Sequence, residues 1–266
     1  MTDGRALARE FLEQQRLLGG SSVILGSVDA VPSAPDGRMG GSADGLVPPR
    51  SADPPIRPSA DLPPAGVAFD PPAKDFFTAD PLSQALDLAA VATLIAACEK
   101  CRLCEARSRT VPGEGAANAR LMVIGEGPGR VEDETGRPFV GPAGELLTKI
   151  LGAIELPREQ VYICNIVKCR PPENRQPQYD EVAACIPFLY RQIELVKPAV
   201  ILALGNTAAQ SLLGTKQSLG ALRNRVHRFR GTPVIVTYHP AALLRNPNWK
   251  RPTWDDVRIA RRLLDG

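Results

Sequence analysis

Short apolar segments alternate with helical segments through the C-terminal two thirds of the chain. The apolar runs lie at 120–125, 161–168, 199–205 and 232–239, and helical periodicity follows at about 143–154, 179–196, 206–214 and 253–266. Strands that are apolar along their whole length and are separated by helices are typical of parallel sheets covered on both faces. The sequence therefore predicts an α/β fold with three layers, αβα, in which the middle layer is a mostly parallel four-stranded sheet.

The ends of the predicted strands are the first candidates for a functional site. In open parallel sheets, ligands bind beyond the carboxyl ends of the strands. The segments at those ends are 125–129, 165–170, 205–206 and 239–240. These four segments should therefore meet at one edge of the sheet.

The first 80 residues have a different composition. Eleven prolines fall between Pro32 and Pro72, among many Gly, Ser, Ala and Asp residues. Such a segment buries too little apolar surface to offset its ordering entropy, so we expect residues 1–80 to be a disordered, Pro-rich leader, with a short helix at about 5–18. Residues 81–266 form the predicted globular domain, which begins with the helical segment "SQALDLAAVATLIAAC" and Ser83 as its N-cap.

Charge is divided unevenly along the chain. Residues 1–97 contain 7 Lys/Arg and 12 Asp/Glu, whereas residues 98–266 contain 25 and 17. A basic domain suggests an anionic partner, with nucleic acid as the first candidate, although a merely solvated surface also fits. The sequence contains no run of 18 apolar residues, which a membrane span would require, and its N-terminus lacks the apolar region of a secretory signal. We expect a cytoplasmic, nucleoid-associated monomer.

Six cysteines form the clearest cluster of reactive residues. Cys98, Cys101 and Cys104 form a C-x2-C-x2-C run, Cys169 and Cys185 lie downstream, and Cys164 falls within a predicted strand. A C-x2-C turn directs two thiolates at one centre, as in zinc and iron–sulfur sites. A ferredoxin-type fourth cysteine and the second C-x2-C of a zinc ribbon are both absent from the sequence. The spacing alone leaves the metal open.

Three long motifs add a family resemblance. "GEGPGRVEDETGRPFVG", "YICNIVKCRPPENRQP" and "TYHPAALLRNP", in this order after the C-x2-C, resemble the family 4 (type a) uracil-DNA glycosylases. The resemblance covers about residues 95–265. It implies a monofunctional enzyme of base excision repair that removes uracil from single- or double-stranded DNA. It also implies a [4Fe–4S] cluster held by Cys98, Cys101, Cys169 and Cys185, with Cys104 and Cys164 as the remaining thiols.

The same resemblance implies roles for residues of the predicted pocket. Gly125 and Gly127 lie in a glycine-rich turn that departs from the dinucleotide-binding fingerprint and is followed by acids, so it would contact a neutral base better than a phosphate. Phe139 matches the residue that stacks on uracil. Asn165 matches the residue that reads the base edge, and it is assigned to catalysis as well.

The chemical step requires further side chains. His239 matches the family's catalytic histidine, which donates towards O2 of the departing uracil. Glu126 and Glu132 are candidates for orienting the attacking water and supporting the cationic sugar, with their division of roles left open. Asp133 and Glu134 are expected to be solvated or capping residues.

DNA contacts are expected beside the pocket. A loop carrying Leu243, Leu244 and Arg245 would fill the space left by the flipped base. Arg223 and Arg225 belong to an arginine cluster that suits phosphates, although a solvated strand face is the alternative. The role of His227 is left open, and the leader is assigned, as a hypothesis, to a repair or replication protein.

Several rival functions remain. Relatives that capture uracil-containing DNA covalently carry a histidine in a basic insertion after the second strand, and neither feature is present here. A redox protein built on the cluster would not need Phe139, Asn165 and His239 at one sheet edge. A non-catalytic DNA-binding domain would keep the arginines but would not need an intact pocket. Family 5 relatives have an apolar first motif, whereas the first motif of this chain contains Glu126 and Glu132.

Overall fold

The computed structural model describes residues 80–266, so the predicted N-terminal helix and Pro-rich leader lie outside the described residues. The described chain begins with two short helices, α1 (Pro81–Gln84) and α2 (Leu88–Ala96). Their N-caps are Asp80 and Asp87, whose carboxylates accept from backbone N–H groups one turn ahead. The prediction of one helix capped by Ser83 is wrong, because two aspartates cap two separate helices.

One mixed sheet forms the centre of the domain. Its strands are β1 (Glu114–Gly115), β2 (Leu121–Gly125), β3 (Tyr162–Asn165), β4 (Val200–Leu204), β5 (Val226–Phe229) and β6 (Thr232–Thr237). Their order across the sheet is β1-β3-β2-β4-β6-β5. The inner strands β3, β2, β4 and β6 are parallel, whereas β1 and β5 are antiparallel edges. The four-stranded parallel sheet is thus confirmed, with two additional edge strands.

Helices cover both faces of this sheet. After α2 the helices are α3 (Leu103–Ala106), α4 (Arg130–Thr135), α5 (Pro142–Gly152), α6 (Tyr179–Val196), α7 (Asn206–Leu213), α8 (Leu219–Leu222), α9 (Pro240–Arg245) and α10 (Lys250–Asp265). Short 3-10 turns lie at Arg158–Gln160, Pro172–Asn174 and Pro247–Trp249. Helices α2, α6 and α7 pack on one face, and α5, α9 and α10 pack on the other. The predicted αβα layering is confirmed.

The parallel strands occupy the centre because their side chains are apolar on both faces. Every residue of β2 and β4 is buried. The edge strands differ, since β1 has two residues and β5 alternates exposed with half-buried side chains. Short or charged edges resist pairing with other chains. Within residues 80–266, no helix combines the length and apolar character that crossing a membrane requires.

The segment "HPAALLRNP" forms a helix instead of the expected loop. Pro240 occupies the first turn of α9, where its fixed φ suits a helix and its missing N–H costs nothing. The His239 ring caps this helix through Nδ1, which accepts from the backbone N–H of Ala241 at 3.2 Å. This conformation determines which of the following side chains can reach DNA.

Candidate functional site

A cavity of about 400 Å³ opens at the carboxyl ends of the parallel strands. All four predicted strand-end segments contribute to it. Its lining includes Glu126, Gly127, Pro128, Gly129, Glu132, Phe139, Asn165, Pro171, Gly205, Asn206, His239 and Arg245. The sheet topology therefore brings together the residues that the sequence placed at separate strand ends.

Asn165 supplies the deepest polar group of the cavity. It ends β3 and is 1% exposed. Its Oδ1 atom is buried and has no hydrogen-bond partner among the described residues. A buried carbonyl oxygen without a partner carries a desolvation cost, which a ligand N–H would relieve.

Phe139 lies beside Asn165 in a conformation that its neighbours impose. Its φ is 51°, in the left-handed region that costs a non-glycine residue on the order of 1 kcal/mol or more. Arg158 Nη1 donates to the Phe139 carbonyl at 2.8 Å, and Glu132 Oε1 accepts from the next two backbone N–H groups at 2.9 and 2.8 Å. A Cβ on Gly125 would lie 2.4 Å from both the Phe139 ring and Asn165 Oδ1, so this close packing requires glycine.

His239 and Phe139 both line the cavity, and their rings contact each other with centroids 5.5 Å apart. Burial and, to a smaller extent, the nearby positive charge of Arg245 lower the pKa of His239 to about 4, with Glu132 acting in the opposite direction. The imidazole is therefore neutral near pH 7. Because Nδ1 accepts from Ala241, the proton of the neutral ring belongs on Nε2, which becomes a hydrogen-bond donor.

The two candidate acids differ in their surroundings. Glu126 Oε2 accepts from the Thr207 hydroxyl at the start of α7, and that hydroxyl accepts from Gln176 Nε2 at 3.0 Å. Glu132 instead binds the backbone that follows Phe139. Of the two alternatives for Asp133, solvated or capping, its 3% exposure excludes the first, and its carboxylate accepts from the Ser108 N–H at 3.0 Å.

Helix α9 exposes only some of the residues that were predicted to fill the space left by the flipped base. Leu244 is 51% exposed, and Arg245 is exposed at the cavity rim. Leu243 is 1% exposed and packs into the core formed with α5 and α10. The prediction that Leu243 enters DNA is wrong for this structure, because successive residues on a helix face different directions.

Arg223 is likewise unsuited to a phosphate contact. Its Nε donates to Asp256 Oδ2 at 2.7 Å within α10's buried face, and its guanidinium lies over the Tyr238 ring at 4.3 Å. The predicted DNA role of Arg223 is therefore corrected to an internal one. Arg225 is exposed, as a phosphate contact requires. The ring of His227 contacts the Leu222 carbonyl at 2.7 Å through Nε2.

Four cysteines line a second cavity, on the α6 side of the sheet. Its walls include Cys98, Cys101, Cys169 and Cys185, together with Arg107, Lys168 and Phe188. Cys104 lies outside this lining, and Cys164 is buried in β3. The four cysteines that the resemblance implied as ligands thus face one space. They come from the segment after α2, the segment after β3, and α6.

The four cysteines form a thiol-only donor set. Among residues 80–266, no three His, Cys, Asp or Glu side chains converge closely enough to hold a single metal ion. Four thiols that face one cavity are the donor set of an iron–sulfur cluster, whose irons each take one thiolate. Arg107 Nη1 donates to Cys169 Sγ at 3.3 Å, as expected beside a thiolate.

Some site residues carried no clear sequence signal. Arg158 binds the Phe139 backbone, Thr207 and Gln176 hold the Glu126 side chain, and such long-range partners cannot be inferred from local patterns. Lys168 ends the apolar run "YICNIVK" as its charged residue, and the structure buries it to 1% exposure.

Comparisons with known proteins agree with this geometry. A family model described as "Uracil DNA glycosylase superfamily" matches residues 112–259. The chain is 47% identical over 171 residues to a protein of Thermotoga maritima named type-4 uracil-DNA glycosylase, covering 63% of this chain and 89% of that protein. Proteins of the same name from Sulfurisphaera tokodaii and Pyrobaculum aerophilum are 44% and 46% identical over 178 and 170 residues. Those matches cover 64% and 61% of this chain, and 81% and 87% of the relatives.

Proposed function

The chain belongs to the uracil DNA glycosylase superfamily as a type-4 member, and on this basis we propose that it flips uracil out of DNA and hydrolyses the N-glycosidic bond, leaving an abasic site. The observation that carries the proposal is the buried, unpartnered Asn165 Oδ1 in a cavity flanked by Phe139 and His239. Enzymes that act on a base in DNA extrude it into such a pocket.

Asn165 and Phe139 recognise the flipped base. A side-chain amide offers an acceptor to N3–H of uracil and a donor to O4. Cytosine has no proton on N3 and carries an amino group in place of O4, so it would leave Asn165 mismatched on both contacts. Unpaired buried polar groups give stronger discrimination than shape alone. The Phe139 ring, held by Arg158 and Glu132, stacks on the base face.

His239 stabilises the leaving group. As the glycosidic bond breaks, negative charge develops on uracil, including at O2. The neutral imidazole donates its Nε2–H to O2, and its orientation is fixed in advance by the Nδ1 contact to α9. One such preorganised donor is typically worth about 3 kcal/mol of transition-state stabilisation.

Glu126 serves the sugar and the attacking water. Its carboxylate lines the cavity and is oriented by Thr207, while Glu132 is occupied in holding the Phe139 loop. We therefore assign water orientation and support of the oxocarbenium-like sugar to Glu126. Glu132 is assigned a positioning role.

Cys98, Cys101, Cys169 and Cys185 would hold a [4Fe–4S] cluster. When bound, this group supplies four iron–thiolate bonds that connect distant segments of the chain. Arg107 balances part of the thiolate charge through its contact with Cys169. No step of base removal requires the cluster in this assignment.

DNA is held at the rim of the pocket. Leu244 enters the base stack next to the extruded nucleotide, and Arg245 and Arg225 contact phosphates. The N-terminal leader connects the enzyme to a repair or replication protein. Deleting residues 1–80 tests that connection. If neither the activity nor the copurifying partners change, the hypothesis of a protein partner is rejected.

The activity test uses the full chain and an end-labelled oligonucleotide with one uracil. Half of each product is treated with alkali before a denaturing gel, and half is run untreated. A monofunctional glycosylase gives breakage only after alkali, and Asn165→Ala and His239→Ala lose it. A shifted band that survives denaturation would indicate covalent capture instead. An unchanged strand, with iron present, would favour a redox or binding role.

A further inference from the structure

Lys168 is a charged side chain in the interior of the domain. It is 1% exposed and ranks among the largest fully buried side chains. It lies between the two cavities, three residues after Asn165 and directly before Cys169. A lysine is rarely buried so completely without a specific partner, because removing an ammonium group from water is costly.

Two oxygen atoms accept hydrogen bonds from the Lys168 ammonium. One is the backbone carbonyl of Asn165 at 2.8 Å, and the other is Gln192 Oε1 at 2.6 Å. Gln192 is itself fixed, since its Nε2 donates to the Pro112 carbonyl at 2.7 Å and to the Tyr162 hydroxyl at 3.1 Å. The ammonium therefore connects the base-reading residue to a rigid point on α6.

The charge of Lys168 has no carboxylate counterpart in residues 80–266, since none of the ion pairs there includes it. The neighbouring ionisable groups are thiols instead. Lys168 lines the cavity that Cys98, Cys101, Cys169 and Cys185 share. The Lys168 backbone N–H also donates to Cys185 Sγ at 3.2 Å.

Arg107 provides a natural comparison. It contacts the same cysteine cavity, through Cys169 Sγ at 3.3 Å and the Cys98 carbonyl at 2.7 Å. Its remaining hydrogen bond goes to the Ala96 carbonyl, so none of its hydrogen bonds reaches the uracil pocket. Lys100 also lines the cavity but is exposed. Of these three cations, Lys168 is the one that both lines the cysteine cavity and hydrogen-bonds to Asn165.

We propose that Lys168 is a positioning residue for uracil recognition: its ammonium fixes the Asn165 backbone, and the anionic cysteine centre on its other side supplies the counter-charge that allows it to remain buried. This inference rests on the proposed function, because it requires that Asn165 reads uracil and that the four cysteines hold an anionic cluster. It adds a physical link between the cluster and the pocket, carried by one side chain.

The test compares Lys168→Met with Arg107→Met in the full-length, iron-loaded protein. Three quantities are measured: iron per chain, the midpoint potential of the cluster, and the Kd for free uracil. Both variants should lower the potential, because a nearby cation favours the more negative, reduced cluster. Lys168→Met should also weaken uracil binding about tenfold, as expected if the displaced Asn165 amide loses one of its hydrogen bonds to the base. Arg107→Met should keep the Kd within about twofold.

Distinct results separate the possible failures. An unchanged uracil Kd in Lys168→Met, with iron retained, would overturn the proposal and leave Lys168 as a charge-balancing residue only. An equal loss of uracil binding in both variants would overturn it too, because the effect would then come from the cluster in general. A wild-type protein that neither binds uracil nor forms abasic sites would instead reject the proposed function.

A second variant covers the case in which Lys168→Met does not fold. Gln192→Met removes one acceptor of the ammonium and its anchor on α6, while Lys168 and all four cysteines remain. The expected result is normal iron content with weaker uracil binding. Normal binding in this variant would contradict the positioning role.

Discussion

The pocket side chains are held in place by contacts with neighbouring residues. Phe139 keeps a left-handed backbone because Arg158 and Glu132 bind the peptide groups around it. His239 has a defined donor nitrogen because α9 occupies the other one. Preorganisation of this kind avoids reorganisation during the reaction, which is where much of an enzyme's electrostatic advantage arises.

The ionisation of His239 gives a prediction about pH. Its folded-state pKa is lowered to about 4, so the ring stays neutral as the pH falls through the usual histidine range. The His239-dependent part of kcat/KM should therefore be flat from about pH 8 to about pH 5, and decline only as protonation of Nδ1 breaks the contact with Ala241.

Two measurements check this pH behaviour. The chain has two histidines, so NMR of the imidazole nitrogens can follow His239 directly, with His227 identified by substitution. A pH–rate profile with a single-uracil oligonucleotide gives the kinetic counterpart, and His239→Ala is the control. An inflexion near pH 6.5 that disappears in the control would contradict the prediction.

Arg223 and Arg225 form a matched pair with opposite expected effects. Arg223→Ala leaves the buried Asp256 carboxylate without its cation and should lower the free energy of unfolding by about 3–5 kcal/mol. Arg225→Ala removes an exposed charge and should change that energy by no more than about 0.5 kcal/mol. Urea unfolding measures both values.

DNA binding separates the same two arginines further. Arg225→Ala should weaken binding and flatten its salt dependence, since one phosphate contact is lost. If Arg223→Ala were fully stable and showed the larger loss of DNA affinity, the internal role assigned to Arg223 would be wrong.

At the level of elements, the sequence predicted those strands and helices that have a clear local pattern of apolar residues. The parallel strands are evident because β2 and β4 are apolar throughout, and α6 begins and ends where its periodicity predicted. The edge strands were missed, since a two-residue β1 has no pattern of its own and exists only through its pairing with β3.

The candidate site follows the same division. Glu126, Asn165 and His239 could be placed together because strand ends of a parallel sheet meet at one edge, whereas Phe139 was implied only by the family resemblance. The burial of Arg223 depends on Asp256, which is 33 residues further along the chain. The direction of Leu243 depends on the helical form of α9, which the family motif does not reveal.

Helix α9 allows two neighbouring leucines to be tested against each other. Leu244→Ala, on the exposed side, should reduce kcat/KM on uracil in duplex DNA while sparing single-stranded DNA, because only the duplex requires a filler for the vacated stack. Leu243→Ala should lower the free energy of unfolding by about 2–5 kcal/mol, because it leaves a cavity in the core.

The substrate ratio distinguishes these effects. We expect the duplex-to-single-strand ratio of kcat/KM to fall in Leu244→Ala and to stay near the wild-type value in Leu243→Ala, at a temperature where both are folded. The reverse pattern would mean that α9 rearranges on DNA and that Leu243 is the inserted residue.

At the level of the whole molecule, the cysteine centre joins segments that are distant in sequence. Cys98 and Cys101 follow the first helices, Cys169 follows the second parallel strand, and Cys185 lies within α6. The first helices also pack on α6 through apolar side chains, among them Val91 and Ile95. A cluster bound by all four thiolates closes a loop of more than 80 residues, so its stability contribution belongs to the domain as a whole.

Cys101 and Cys104 make this contribution measurable, because they belong to the same C-x2-C-x2-C run and differ in position. Cys101 lines the cavity and Cys104 does not. Cys101→Ser should lose most of the bound iron and its visible absorbance, and should lower the Tm, because metal binding and folding are coupled. Cys104→Ser should retain iron, absorbance and Tm, since serine replaces a half-exposed thiol without a ligand role. Iron loss in Cys104→Ser with full retention in Cys101→Ser would exchange their roles. Equal loss in both would mean that the run binds iron differently from the four-cysteine cavity described above.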